Sequence, residues 1–361
     1  MNLSSKEAVS GDARQLRRLN LERLLTLAMD QPGAFTRAEL IRQTSLSAPT
    51  VGSLTGTLIH RGLLLDLGTG PSRGGRRPGL MEFNARFGVV LGIVLGVTET
   101  QMAVADLRGE LLVERSQETP TRLEPAELLA WIADESKALL RKVDGPRSRL
   151  VAAAAGAPGA VDAREGRVVA LAPNLRGWSG GVAMGGALRK HLGAPVLLDN
   201  DVNLAVLGER WRGAARGHDT CAFIVVGPGI GAGVMVEGIL HRGHHFLAGE
   251  IALMCMGPEY VERDFGQRGC LETLANLPAL ESHWREASKD GKGSVFAAAR
   301  HGDQAARAAV RDAATLLGIA ATNLSLVLDP SLLVFGGPML PDGEMLIEEV
   351  ARIVRRIIPS P

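Results

Sequence analysis

The apolar pattern predicts an α/β protein in which a small helical domain with a β-hairpin precedes a larger, two-lobed α/β domain. Three observations carry this. Short helical segments and a hairpin fill residues 1–84; the order strand–strand–strand–helix occurs near 89–142 and again near 220–285; and the stretch Val196–Glu209 turns from strand to helix on a cluster of polar side chains. The 361 residues are 46% hydrophobic and 22% charged, enough to build a sizeable core in two or three domains. Forty Lys and Arg nearly balance 39 Asp and Glu, so a basic patch for a nucleic acid would have to be local. Three cysteines, Cys221, Cys255 and Cys270, suit a reducing cytosol better than a disulfide framework. No apolar signal core is present at the N-terminus and no apolar run reaches about 18 residues, so a cytoplasmic protein without a membrane partner is expected.

Residues 1–15 are polar and read as flexible. Leu21, Leu24, Leu25 and Ala28 follow helical spacing up to the turn Gln31-Pro32-Gly33. Thr36-Arg37-Ala38-Glu39 is a capping box for a second helix, and Ser47 caps a third that runs to about Arg61. The third helix turns Val51, Leu54 and Leu58 inward; its other face offers Pro49 and Ser53, flanked by Thr50 and Thr57. Two short helices with a tight turn form a helix-turn-helix pattern, whose second helix would enter a DNA major groove. Strands Leu63–Leu67 and Leu80–Asn84 enclose a glycine-rich turn bearing Arg73, Arg76 and Arg77, a wing suited to phosphates or a minor groove. Residues 1–84 hold 11 Lys and Arg against 7 Asp and Glu, the expected local excess. Gly52 and Gly56 lie inside the third helix at a cost of about 1 kcal/mol each against Ala. With few base-reading side chains there, DNA shape and the wing are expected to carry much of the specificity.

A meander (Val89–Val97, Met102–Ala105, Leu111–Glu114) then leads into a helix at about Pro125–Lys142. Strand Leu150–Gly156, a turn, Val168–Leu171 and helix Val182–Leu192 follow, and the chain reaches Val196-Leu197-Leu198. At the junction sit Asp199, Asn200, Asp201 and Asn203. One such residue suffices to cap a helix; four at a strand-to-helix turn mark the floor of a small-molecule site, where a carboxylate and an amide can grip vicinal hydroxyls. Strand Thr220–Val226, the loop Gly227–Gly233 and a hairpin come next, and the remainder reads as helical apart from strand Leu332–Phe335.

The chain resembles the ROK family of repressors, open reading frames and sugar kinases, in its transcription-regulator branch. The resemblance rests on Gly75-Arg76-Arg77-Pro78, Gly156-Ala-Pro-Gly159, Ala172-Pro-Asn174, Asn200-Asp-Val-Asn203 with Gly208-Glu209, Gly229-Ile-Gly-Ala-Gly233, Gly249-Glu-Ile251, Gly269-Cys-Leu-Glu272 and Gly336-Gly337, in that order over nearly the whole chain. It implies an N-terminal winged helix-turn-helix (1–85) followed by a two-lobed, actin-like ATPase (ribonuclease H-like) domain, with lobes at 86–198 and 199–361. It also implies a carbohydrate site at Asn174, Asn200, Asp201, Glu250 and Glu272. In the family's kinases, the residue matching Asp201 is the general base.

Departures from the family pattern set the expected function. The kinases' Asp-x-Gly-Gly-Thr reads Val94-Leu-Gly-Val-Thr98, and their Gly-Thr-Gly reads Gly227-Pro228-Gly229. Val94 removes a carboxylate; Pro228 removes a hydroxyl and a backbone N–H. Phosphoryl transfer rests on such contacts, so ATP binding and kinase activity are not expected, and Asp201 is kept for hydrogen bonding. The family's zinc ligands correspond to Leu253, Arg263, Phe265 and Cys270; one thiol cannot make a tetrahedral site, so no metal or other cofactor is expected. The chain ends at Ile357–Pro361, earlier than the family pattern, and a final strand and helix are expected to be missing. The predicted function is a DNA-binding transcriptional regulator, a repressor that senses a sugar or sugar derivative. Its expected partners are double-stranded operator DNA, a carbohydrate effector and a second copy of itself in a homodimer or higher oligomer. The alternatives are an ATP-dependent sugar kinase with Asp201 as base, and a scaffold whose winged domain meets protein.

Overall fold

The computed structural model describes residues 4–70, 79–143, 149–172, 174–288, 292–340 and 342–358. The chain divides into two compact units, one of residues 1–91, 103–114 and 137–152, the other of residues 92–102, 115–136 and 153–361.

In the first unit, α1 (Ser4–Asp30) begins well before the predicted start, replacing the expected flexible stretch. Apolar periodicity reports burial, not backbone conformation; Lys6, Glu7, Ala8 and Ala13 are helix formers whatever they face. A two-residue strand, β1 (Phe35–Thr36), leads into α2 (Arg37–Thr44) on the expected capping box. The Glu39 backbone N–H donates to Thr36 Oγ1 at 3.3 Å, and the Thr36 N–H donates to Glu39 Oε2 at 2.6 Å. Those bonds hold the Glu39 carboxyl below its ordinary value. Ser45 closes α2 in the left-handed region at φ 59°, and Ser47 caps α3 (Ala48–His60) by accepting from the Thr50 N–H. Strands β2 (Leu64–Thr69) and β3 (Gly79–Phe83) make the hairpin, and β1 adds to it in the order β1-β3-β2. Val51, Leu54 and Leu58 are buried with Leu24, Phe35, Leu40, Met81 and Phe83, so the predicted inner face of α3 is the inner face. Arg73, Arg76 and Arg77, the basic residues expected in the wing, lie outside the described residues.

The next elements are β4 (Val89–Leu95), β5 (Glu99–Asp106), β6 (Leu111–Glu118), α4 (Pro125–Leu140), β7 (Leu150–Ala157), β8 (Ala160–Asp162), β9 (Arg167–Ala170), α5 (Met184–Leu192) and β10 (Val196–Asn200). They form a five-stranded sheet of order β10-β7-β4-β5-β6 and a small β8-β9 ribbon. β10 runs parallel to β7, with Asp199 opposite Gly156 and Asn200 opposite Ala157. A parallel pair needs a long crossover, here β8, β9 and α5. The ends of both strands thereby open at one place.

Helix α6 (Asp201–Arg212) follows directly, then β11 (Cys221–Val226), β12 (Ile230–Val236) and β13 (Ile239–Leu240). Helices α7 (Cys270–Ala275), α8 (Leu277–Ala287), α9 (Val295–Arg300) and α10 (Gln304–Leu328), strand β14 (Leu332–Gly336) and α11 (Glu344–Ile357) complete the chain. A four-stranded sheet has the order β13-β12-β11-β14, with β14 parallel to β11. One of its faces packs on α7, α8 and α10 through Ile224, Val226, Leu271, Trp284, Val310 and Leu317, all buried. Among the described residues, no helix is long and apolar enough to cross a membrane.

Candidate functional site

The turn from β10 into α6 is built by side chains bonding to backbone. Asn200 caps α6: its Oδ1 accepts from the N–H groups of Val202 (2.9 Å) and Asn203 (3.1 Å), and its Nδ2 donates to the Gly159 carbonyl at 3.0 Å. This occupies both functional ends of the amide and leaves one amide N–H for a ligand. Asp199 is buried. Its Oδ1 accepts from the Asn200 N–H and from Asn203 Nδ2, at 2.9 and 3.0 Å. Its Oδ2 accepts from Arg242 Nε and Nη2 at 2.9 and 2.6 Å. Asp199 is therefore an anchor within the protein, and Asp201 is the carboxylate of the pair that lines the cavity.

A cavity of about 710 Å³ opens over this turn, within the range that holds a small organic ligand. Asn174, Asn200, Asp201, Glu250 and Glu272, separated by up to about a hundred positions in sequence, all line it. Glu250 is placed by Gly249, which sits at φ +92° with its Cα so close to the Ala232 carbonyl that a Cβ would lie 1.9 Å from the oxygen. Only glycine permits that approach. Glu272 lies in the first turn of α7, where its Oε2 accepts from the Ile230 N–H at 3.0 Å. Asn174 Oδ1 accepts from Arg268 Nη2 at 3.0 Å.

Three carboxyls share the cavity, and burial raises each of them. Burial pushes the Glu250 carboxyl up to about 7, helped by the charges of Asp201 and Glu272. Burial likewise pushes Asp201 up to about 6, against the opposing N–H of Val202. Glu272 is raised too, less freely, because the Ile230 N–H and Arg268 favour its charged form. Near neutral pH the cavity thus presents both donors and acceptors, as a polyhydroxylated ligand requires.

Apolar residues line the cavity as well. Val94, 38% exposed, lines it with Val97, Phe223 and Val225. Pro228 contributes a carbonyl, which accepts from Asn276 Nδ2 at 3.0 Å, and no N–H. At the positions of the expected zinc ligands, the Arg263 guanidinium lies over the Phe265 ring at 4.9 Å and Tyr260 meets the same ring edge-on. Cys270 is buried in α7. Among the described residues no three His, Cys, Asp or Glu side chains come together as a metal site would need.

The ROK family model matches residues 90–361. The chain belongs to the ROK family. Relatives from both of its branches align. The xylose repressor of Caldicellulosiruptor bescii is 27% identical over 361 aligned residues, covering 96% of this chain and 90% of that protein. The glucokinase of Thermotoga maritima is 30% identical over 288 residues, covering 75% and 89%. A crystal structure of a ROK family transcriptional regulator, a homologue of the E. coli MLC protein, superposes with a TM-score of 0.80 at 23% identity, over 94% of this chain and 88% of that one. A Streptomyces griseus ROK glucokinase in complex with glucose and AMPPNP superposes at 0.65 with 26% identity, covering 75% of this chain and 90% of the kinase. The repressor-type relatives span the N-terminal residues; the ROK kinases leave about a quarter of the chain unmatched.

Two residues of the site gave no signal in sequence. Arg242 is 43 positions from Asp199 and Arg268 is 94 from Asn174; neither lies in a motif, and only the approach of the β13–Glu250 loop and of the turn before α7 brings them in. In the first unit, Pro49 and Ser53 are exposed on α3 and Thr50 and Thr57 are half-buried. Ser53 and Thr57 are engaged by a side chain that the apolar pattern did not single out, Arg17 of α1.

Proposed function

We propose that this chain is a sugar-responsive transcriptional repressor, with a DNA-binding winged helix-turn-helix in its first residues and a carbohydrate-sensing ROK domain behind it. The observation that carries this is the pairing of a polyol-type grip with an apolar wall. Asn174, Asn200, Asp201, Glu250 and Glu272 line one cavity, and Val94 and Pro228, which line it too, take the positions that the family's kinases give to a carboxylate and a phosphate-loop residue. Val94 offers no carboxylate and Pro228 no N–H to a metal–phosphate group, and the stacked Arg263 and Phe265 offer zinc no ligand. Full-length similarity to xylose repressors supports the same conclusion, as does the helix–turn–helix and hairpin architecture of the first unit.

In this scheme the ligand's hydroxyls donate to the ionised carboxylates and accept from the protonated ones, and Asp201 acts as an acceptor without taking part in proton transfer. Occupancy changes operator affinity because the ligand binds the DNA-competent and DNA-incompetent states unequally; without that difference a ligand shifts nothing. Two winged domains in a homodimer match two half-sites about one helical turn apart. A thermal-shift screen of sugars and sugar derivatives identifies the effector, and fluorescence anisotropy on operator DNA then measures affinity with and without it. A ligand that saturates the protein and leaves operator affinity unchanged refutes the mechanism. ATP-dependent phosphorylation of that ligand, abolished in Asp201→Asn, would restore the kinase reading favoured by the glucokinase relatives.

A further inference from the structure

Helix α1 lays one cation on the outer face of α3. Arg17 Nη1 donates to Ser53 Oγ at 3.3 Å and Nη2 donates to Thr57 Oγ1 at 3.2 Å, while Thr57 Oγ1 itself donates to the Ser53 carbonyl at 2.9 Å. The guanidinium is fixed at two points yet remains exposed, and it has no acidic partner among the described residues. Its neighbour Arg18, in contrast, is neutralised by Glu22 at 2.8 Å, one helical turn along. A guanidinium carries five N–H donors; the two hydrogen bonds leave three for a further partner, on a side chain that is exposed. Around it the α3 surface is low. Gly52 and Gly56, each one position before Ser53 and Thr57, have nothing within 4 Å of where a Cβ would sit, so neither position adds a side chain to that surface.

We propose that Arg17 contacts the phosphate backbone of duplex DNA, so that α1 supplies part of the nucleic-acid interface beside α3. This rests on the DNA-binding function proposed above. The two hydroxyls hold the guanidinium in place before binding, which limits the side-chain freedom lost when it meets a phosphate. Ser53 and Thr57, in this arrangement, act through Arg17 instead of reading bases themselves.

The test uses the full chain and a mixed-sequence duplex of about 30 base pairs, long enough for two half-sites a helical turn apart. Affinity is followed by anisotropy as salt is raised fourfold. Each phosphate neutralised adds about 0.9 to the slope of log affinity against log salt. Arg17→Gln, which keeps hydrogen-bonding capacity without the charge, is expected to lower the slope by about that amount per protomer, so that over the fourfold range each protomer forfeits about 3-fold less affinity than the wild type. Arg17→Lys, which keeps the charge, is expected to retain most of the slope. Melting temperatures for both variants establish that they are folded. A folded Arg17→Gln with the wild-type slope overturns the proposal and leaves Arg17 as a tie between α1 and α3. An Arg76→Ala/Arg77→Ala variant separates the two claims. If it lowers the slope and Arg17→Gln does not, DNA binding stands and the Arg17 contact falls. If the wild type shows no salt-dependent duplex binding, both fall.

Discussion

Replacing Arg242 by Leu removes the partner of a buried charge. The Asp199 side chain is 6% exposed and that of Arg242 is 38% exposed, so the carboxylate sits inside and the guanidinium reaches in from the loop that carries Glu250. Two charge-assisted bonds at 2.9 and 2.6 Å are lost. Breaking a fully buried pair costs about 3–5 kcal/mol. Two features reduce that here: water already screens the outer part of Arg242, and Asp199 keeps its bonds from the Asn200 N–H and Asn203 Nδ2. The expected loss is about 2–3 kcal/mol. Urea unfolding, followed by both fluorescence and circular dichroism to test that the probes coincide, measures it in the wild type, Arg242→Leu, Asp199→Asn and the double variant. The double variant should cost much less than the sum of the singles, with a coupling of about 2 kcal/mol, because Asn at 199 no longer leaves a charge without a partner. A coupling under about 0.5 kcal/mol would mean that the pair behaves like an exposed surface ion pair, and the assignment of Asp199 as an internal anchor would be wrong.

Glu250 has a folded pKa of about 7 against an ordinary 4.5, so the folded state holds the proton more tightly. The group's stabilising contribution is complete below about 4.5 and is lost as pH rises to about 7. Glu250→Gln should flatten that limb and raise stability above pH 7 by on the order of 2 kcal/mol, read from denaturation midpoints across the pH range; an unchanged pH profile would refute the raised pKa. Gly52→Ala and Gly56→Ala meet open space at ordinary backbone angles, so each should stabilise by about 0.4–1 kcal/mol in thermal unfolding. If that face meets DNA, duplex affinity should fall as stability rises, whereas unchanged affinity would place the contact elsewhere. Asn200→Ala removes the α6 cap and the bond to the Gly159 carbonyl and should cost about 1–2 kcal/mol in urea unfolding. A loss under about 0.3 kcal/mol would mean that water replaces the cap.

Local features were legible because their causes are local. The Thr36–Glu39 capping box, the Ser47 cap, the turn at Ser45 and the buried stripe Val51-Leu54-Leu58 each arise from residues within a few positions of one another. The five expected ligand residues were legible from motif order, although their meeting in one cavity was not. The start of α1 was not legible, because the apolar spacing that predicts a helix begins only at Leu21. The two-residue strand β1 was missed, because its pairing with β3 at Phe35–Met81 and Thr36–Leu80 has no periodic signal.

The sequence by itself determined the order of elements, the motifs that carry the family, and the two departures from the kinase pattern, Val94 and Pro228, on which the proposed loss of phosphate chemistry rests. Only the tertiary structure decided how the four polar residues at the β10–α6 turn divide their work. Asp199 is taken by Arg242, Asn200 by the α6 cap and Gly159, and Asn203 by Asp199, while Asp201 lines the cavity. It also decided that Arg17 lies on Ser53 and Thr57. The physical reason is common to both: a polar side chain's partner is set by which elements pack against it, and Arg242 and Arg17 come from 43 and about 40 positions away, beyond the reach of any local pattern.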